Sequence, residues 1–143
     1  MLGVPALIGD VGDLSWVEVF AVFAVSHLVG DFALQTEWQA RHKRGGLGGD
    51  RTSRRALIAH VRSYTLAFVP AFVWLLDGSA LTLIALAVLL FVTHLVQDDG
   101  RLLERYMRSV KRADPDEHRV LTAAVDQTLH FVVLFGLALL AVA

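Results

Sequence analysis

The sequence predicts an all-α membrane protein with four transmembrane helices in an antiparallel bundle and an amphipathic helix on the cytoplasmic surface. Three observations predict this fold class. Hydrophobic residues make up 55% of the 143 residues. Four apolar runs approach or reach the ~20 helical residues needed to cross the hydrocarbon of a bilayer. Most charged residues lie between these runs. We expect residues 1–143 to form a single domain, since the length suits one.

The four apolar runs contain residues that are typical of helix starts, kinks and the turns between helices. The first begins with Ser15 and Glu18, the pattern of a capping box. Pro70 is expected to kink the second, a defect that membrane helices tolerate. The tight-turn sequence "DGS" at 77–79 predicts that the second and third runs pack as an antiparallel hairpin. The predicted spans cover about residues 15–35, 56–76, 80–97 and 120–143.

The placement of lysine and arginine predicts the orientation. Twelve of the 13 basic residues lie in the two long loops between spans, and the last, Arg62, is near the same end of the second span. The positive-inside rule then places both long loops in the cytoplasm and both termini outside, in a bacterial inner membrane. The N-terminus has no basic residue, so we expect no cleaved signal peptide. The loop residues are Arg41, Lys43, Arg44, Arg51, Arg54, Arg55, Arg101, Arg105, Arg108, Lys111, Arg112 and Arg119.

The second long loop, 99–112, predicts the amphipathic helix. It repeats apolar residues at helical spacing with basic residues between them, a pattern typical of a helix on the inner membrane face against anionic headgroups. A solvated helix packed on a neighbour is the alternative. Asp114, before Pro115, is the expected N-cap of the last helix. We expect membrane lipid to be the partner of this protein, and we expect no binding of nucleic acid. Whether the chain forms a homo-oligomer is not decided by the sequence. The apolar residues are Leu102, Leu103, Tyr106, Met107 and Val110.

Ionisable side chains recur at one depth in the cytoplasmic half of all four spans. Three His/Asp pairs have i, i+4 spacing, which places each pair on one helix face. A charge at mid-bilayer costs roughly 2.5–3.5 kcal/mol, so such groups face the bundle interior and find partners. The sequence therefore predicts one buried polar layer. Its members are His27, Asp31, His60, His94, Asp98, Asp126 and His130.

The chemistry of this layer points to a divalent metal. The chain has no cysteine, which excludes disulfides and thiolate ligands. Imidazole with carboxylate is a ligand set of Zn²⁺, Mn²⁺ or Fe²⁺, and helical bundles hold metals through such pairs. All seven residues are candidate ligands, first among them His27, His60, His94 and Asp126. Asp31, Asp98 and His130 are candidates for further ligands or for the catalytic base. Two metals, or one metal with orienting groups, both remain open.

Three further polar residues flank the layer. Gln35 and Gln127 are candidates to hydrogen-bond a ligand or a substrate, although helix-end solvation and interhelical bonding are the commoner roles of such residues. Arg62 is a candidate phosphate contact. Its alternative role is that of an anchor whose charged end reaches the membrane surface.

Four motifs in order resemble a known family. They are "HLVGDFALQ" (27–35), His60, "HLVQD" (94–98) and "DQTLH" (126–130). In these motifs the chain is similar to a bacterial and phage membrane family known only as domain-of-unknown-function family 3307. That resemblance implies the fold and the residue set, and no reaction. In the family a lysine often follows the third element, where this chain has Gly100 and Arg101. A looser similarity, in His-x-x-x-Asp within a small bundle, is to inner-membrane metal-dependent hydrolases.

Four hypotheses of different classes follow. The leading one is a metal-dependent hydrolase acting on a phosphate or ester bond of a lipid or its headgroup. The second is an ion or proton transporter, since intramembrane Asp/His chains also mark ion paths. The third is haem held by two histidines. The fourth is a structural protein whose polar layer joins helices through hydrogen bonds.

Overall fold

The structure is a computed structural model that describes residues 14–75 and 79–143. In this part of the chain every regular element is a helix. A π-helical turn, Val29–Ala33, continues α1, and another, Met107–Lys111, continues α6. The predicted turn at 77–79 lies mostly outside the described residues. The α-helices are α1 (Trp16–Leu28), α2 (Glu37–His42), α3 (Arg51–Ala67), α4 (Val69–Trp74), α5 (Ala80–Asp98), α6 (Arg101–Tyr106) and α7 (Arg119–Ala141).

Four helical segments are long and apolar enough to cross a membrane, which confirms the predicted fold class. Their positions agree with the predicted spans, except that the second begins earlier, at Arg51. Asp50 caps that helix by accepting the N–H groups of Thr52 and Ser53, and these hydrogen bonds lower the pKa of the Asp50 carboxyl. The segments are Trp16–Ala33, Arg51–Trp74, Ala80–Asp98 and Arg119–Ala141.

The long helices form a ring in which each contacts two others. Helix α1 packs on α7, α7 on α5, α5 on α3, and α3 with α4 on α1. One half of the bundle is filled by a buried apolar cluster that includes Phe23, Phe68 and Leu134. Many large apolar side chains point outward, among them Leu81, which is 75% exposed. Such a surface is unusual for a soluble protein and suits contact with lipid.

Two of the three predicted helix boundaries and kinks that fall on described residues are confirmed, and the fourth, the turn at 77–79, lies mostly outside them. Ser15 and Glu18 form the capping box at the start of α1. The second span is interrupted at Phe68, between α3 and α4, just before Pro70. A proline has no N–H to continue the helix, so the interruption is expected at this point.

The predicted N-cap at Asp114 is wrong. Helix α7 begins at Arg119 after His118. Oδ1 of Asp114 instead accepts the N–H of Asp116, and the carbonyl of Asp114 accepts the N–H of His118. These bonds close a separate turn before α7, so Asp114 begins the turn and not the helix.

Candidate metal centre

Four side chains converge in the half of the bundle that lies next to the two long loops. They are Asp31, His60, His94 and Asp98, and they are 8%, 0%, 1% and 4% exposed. One nitrogen or oxygen atom from each lies within 4.8 Å of the other three. Asp31 comes from the π turn after α1 and His60 from α3, while α5 supplies His94 and Asp98. The fold therefore joins residues far apart in sequence into one group.

Most of the distances between these atoms are close to those between ligands of one ion, whereas the shortest, 2.6 Å, is that of a hydrogen bond. His60 Nε2 lies 2.6 Å from Asp98 Oδ2 and 3.2 Å from Asp31 Oδ1. His94 Nε2 lies 3.2 Å and 3.4 Å from the same two oxygens and 3.1 Å from His60 Nε2. Ligands bonded at 2.0–2.1 Å to a tetrahedral ion stand about 3.3–3.4 Å apart. Neighbouring ligands of a six-coordinate ion stand about 3 Å apart. The group could hold a metal ion of either geometry.

The charges of this group call for a cation. Two buried carboxylates face two imidazole nitrogens, and Asp31 Oδ1 has no hydrogen-bond partner among the described residues. The ammonium of Lys43 lies 2.8 Å from Asp98 Oδ2. Burying an unpaired charge is costly, and one ammonium balances only one of the two carboxylates. A further positive charge in this pocket would complete the balance.

The π turn places Asp31 beside α3. In this turn Gly30 packs so closely on Tyr64 that a Cβ atom on Gly30 would stand 2.6 Å from Tyr64 Cδ2 and 3.2 Å from its Cα. Only glycine lets the two backbones approach to this distance. Single π turns inside helices are frequent at functional sites. The close approach therefore carries the Asp31 carboxylate to His60 and His94.

His27 lies next to the group, with both ring nitrogens engaged elsewhere. Its Nε2 donates to Gln127 Oε1 at 3.0 Å, and its Nδ1 accepts from the hydroxyl of Tyr64 at 3.0 Å. The nearest Asp31 oxygen is 3.7 Å from Nδ1. In this bonding pattern His27 has no free lone pair for a metal. It would therefore hold the ligands in position and not bind the ion itself.

Two neighbours orient the ligating histidines. The side-chain nitrogen of Gln35, Nε2, lies 3.2 Å from His60 Nδ1 and 3.3 Å from His60 Nε2. With the amide turned by 180°, so that its oxygen faces Nδ1, that ring nitrogen would carry the proton and the Nε2 lone pair would be free for a metal. The ring of Tyr64 stacks on His94 with ring centroids 3.3 Å apart. These contacts hold both rings with Nε2 directed into the pocket.

His130 and Asp126, on α7, lie at the edge of the group. His130 Nδ1 donates to the backbone carbonyl of Asp126 at 2.9 Å. Its Nε2 faces Asp98 Oδ1 at 3.4 Å and is buried without a hydrogen-bond partner in the described part of the chain. The Asp126 carboxylate is 28% exposed, and one of its oxygens lies 3.9 Å from His130 Nδ1. It is the most accessible of the predicted carboxylates.

Sequence reasoning missed three residues of this site. Lys43 pairs with Asp98, and Tyr64 contacts both His27 and His94. The third, Asp99, anchors the loop that carries Lys43, because its carbonyl accepts the N–H of Gly45 and its carboxylate accepts the N–H of Leu47, both at 2.7 Å. Its position directly after "HLVQD" was the one available signal. Nothing distinguishes Lys43 from the other basic residues of its loop.

The predicted site residues divide by position. The structure brings Asp31, His60, His94 and Asp98 into one group, with His130 next to it. Around them, His27 and Gln35 contact the ligands, and Gln127 contacts His27. Asp126 lies at the partly open edge. Arg62 is exposed, and its position about 200° around α3 from His60 directs it away from the pocket.

Fold and site together define a class: a small four-helix membrane protein whose bundle encloses a His/Asp group that could hold a metal ion. A family model described as "Protein of unknown function (DUF3307)" matches residues 19–142. The chain therefore belongs to the DUF3307 family, as its motifs predicted.

No curated protein and no solved structure matches the chain. The looser similarity to metal-dependent hydrolases gains no support from these comparisons, and the family description names no activity.

Proposed function

We propose that this protein is a metal-dependent hydrolase of the bacterial inner membrane. Its divalent ion would be Zn²⁺, Mn²⁺ or Fe²⁺, bound by Asp31, His60, His94 and Asp98. The substrate class is a lipid, or a lipid headgroup, with a phosphate or ester bond. The proposal depends on one observation: nitrogen and oxygen atoms from three helical segments lie within 4.8 Å of one another in a buried pocket where Lys43 balances only one of two carboxylates.

The chemistry of such an ion explains the proposed reaction. A divalent ion lowers the pKa of a bound water and polarises a phosphoryl or acyl oxygen. The chain's own part is to hold the ligand atoms in place and to accept a proton. Asp126 is suited to accept it, because its carboxylate is partly exposed beside the pocket and is not among the four ligands.

The proposed orientation places this pocket near the inner headgroups. The two long loops as predicted, 36–55 and 98–119, flank the pocket and carry twelve of the 13 basic residues, four of which lie at the starts of α3 and α7 in the structure. With these loops in the cytoplasm and both termini outside, the pocket opens toward the inner leaflet. A headgroup at that depth would meet Lys43, which is 16% exposed at the pocket.

The second loop supports membrane lipid as a partner. Helix α6 and its π turn bury Leu103 and Met107 against the protein. On the adjoining face Leu102, Tyr106 and Val110 stay exposed. With arginines on the remaining side, the helix would lie on the inner membrane face and contact anionic headgroups.

The structure disfavours the three alternative functions on physical grounds. A transporter needs a polar path, whereas a buried apolar cluster fills the other half of the bundle. Two haem ligands stand on opposite faces of a macrocycle, yet the Nε2 atoms of His60 and His94 are 3.1 Å apart. A purely structural layer would pair its polar atoms, yet Asp31, His94 and His130 each have a buried atom that forms no hydrogen bond within the described part of the chain.

Turnover of vesicle lipid tests the proposed reaction. Detergent-purified protein, stripped of metal and then reloaded with zinc, manganese or iron, is mixed with vesicles of anionic or zwitterionic phospholipid. Released phosphate, headgroup and fatty acid are measured. We expect release only from a metal-loaded protein. His94→Ala should abolish it, while His42→Ala, a change at the exposed last residue of α2, should leave it intact.

Two results would contradict this expectation. Equal release by wild type and His94→Ala would show that the pocket is not the reacting site. A metal-loaded wild type that releases no product from any of the vesicles would overturn the hydrolase proposal.

A further inference from the structure

Nε2 of His130 has no hydrogen-bond partner among residues 14–75 and 79–143, which the structure describes. Its side chain is 1% exposed, and its Nδ1 proton is committed to the carbonyl of Asp126. In the neutral ring the lone pair of Nε2 points into the pocket, where Nε2 faces Asp98 Oδ1 at 3.4 Å. In the neutral imidazole both of these atoms are acceptors, and a proton or a metal ion must lie between two buried acceptors at this distance.

The two carboxylate oxygens of Asp98 face different residues. Its Oδ2 belongs to the four-atom group, 2.6 Å from His60 Nε2, while its Oδ1 faces His130. A carboxylate that presents its two oxygens to different ligand sets is suited to bridge two cations. The distance of 3.4 Å between Asp98 Oδ1 and His130 Nε2 equals that between His94 Nε2 and Asp31 Oδ1 in the first group. It also fits two ligands of one ion, which stand about 3.0–3.4 Å apart.

We infer that a second divalent cation binds between Asp98 Oδ1 and His130 Nε2, so that the Asp98 carboxylate bridges two ions. The inference rests on the proposed function, because the first ion is the one held by Asp31, His60, His94 and Asp98. Ions in two-metal hydrolytic sites lie about 3.5–4 Å apart, a separation that one carboxylate can bridge.

The second position supplies the open coordination that hydrolysis requires. In the tetrahedral case the four protein ligands of the first ion leave no place for water, as in structural zinc sites, whereas a six-coordinate first ion would keep positions for it. The second ion would have two protein ligands, Asp98 and His130, and keep the remaining positions for water and substrate. The partly exposed carboxylate of Asp126 lies on this side of the group, 3.9 Å from the His130 ring. Water activation is therefore assigned to the second ion.

Metal stoichiometry and manganese spin coupling test this inference. Wild type, His130→Asn and the control His42→Asn are purified in detergent, stripped of metal and equilibrated with manganese. Bound metal per chain is then measured by elemental analysis. We expect about two ions in wild type and in the control, and about one in His130→Asn, since only the second position loses its imidazole. The electron paramagnetic resonance spectrum of loaded wild type should show a spin-coupled pair, a readout that needs no variant.

The other outcomes separate the two proposals. One uncoupled ion in both wild type and His130→Asn would overturn the second position and leave the first in place. Two ions in His130→Asn would overturn the assignment to His130. A wild type that binds no ion would overturn the first site, and this inference with it.

Discussion

Lys43 pairs with Asp98 at the boundary between loop and bundle, with Nζ 2.8 Å from Oδ2. That oxygen is also the one closest to His60 Nε2, at 2.6 Å. The Lys43 side chain is 16% exposed, whereas the Asp98 side chain is 3% exposed. Lys43 therefore balances the charge of Asp98 from the solvent side, and an ion in the pocket would balance it from within.

Replacing Lys43 by methionine tests this shared role. Without metal, Lys43→Met should destabilise the protein by roughly 1–3 kcal/mol, because Asp98 loses its partner while buried and the pair is partly screened by solvent. With excess zinc the loss should be smaller, since the ion compensates the carboxylate. Thermal unfolding in detergent, with chelator and with zinc, measures both. Lys111→Met, at an exposed position, is the matched control. A loss of equal size in the two media would show that no ion compensates Asp98.

His27 and His94 should behave differently when each is changed to alanine. His94 directs Nε2 into the four-atom group, while both nitrogens of His27 are bonded to Tyr64 and Gln127. We expect His94→Ala to lose the ion, and His27→Ala to keep it with an affinity about 10–100-fold weaker, as for other residues that support ligands. Metal titration followed by dialysis measures both affinities. Loss of the ion from both variants would make His27 a ligand, as its sequence position first predicted.

Gly30 should be intolerant of even one methyl group. Its Cβ would meet Tyr64 at 2.6 Å, so Gly30→Ala should push the π turn away from α3 and destabilise the protein by about 1–3 kcal/mol. It should also weaken metal binding, because Asp31 follows Gly30 directly. Gly136→Ala is the control, since a Cβ there meets nothing within 4 Å and alanine favours a helix. Thermal unfolding of both variants decides the point, and similar melting temperatures would refute the close contact.

The sequence could predict much of the fold, for physical reasons. Hydrophobic runs of bilayer length specify four spans directly, and Ser15 with Glu18 specifies the start of the first. The cap at Asp114 was wrong, because a turn and a helix begin with the same residue types. The end of a helix depends on the next few hydrogen bonds, and a local pattern does not fix these.

The sequence predicts which site residues share one depth in the bundle, but it does not predict the distances between their side chains or the orientation of the rings. Shared depth along the spans identified the residues that meet, but depth does not tell which nitrogen of a ring is free. That detail depends on neighbours such as Tyr64, which nothing in the sequence distinguishes from an ordinary aromatic residue. Lys43 was missed for a similar reason, because its loop returns to α5 through backbone hydrogen bonds to Asp99.

The most direct test is the metal content of the purified protein. Wild type, His94→Ala and the control His42→Ala are prepared in detergent, equilibrated with zinc, dialysed and examined by elemental analysis. Bound, stoichiometric zinc is predicted for wild type and for the control, with at least a tenfold lower content in His94→Ala. A wild type that retains no divalent ion, or a His94→Ala variant that retains as much as wild type, would contradict the account.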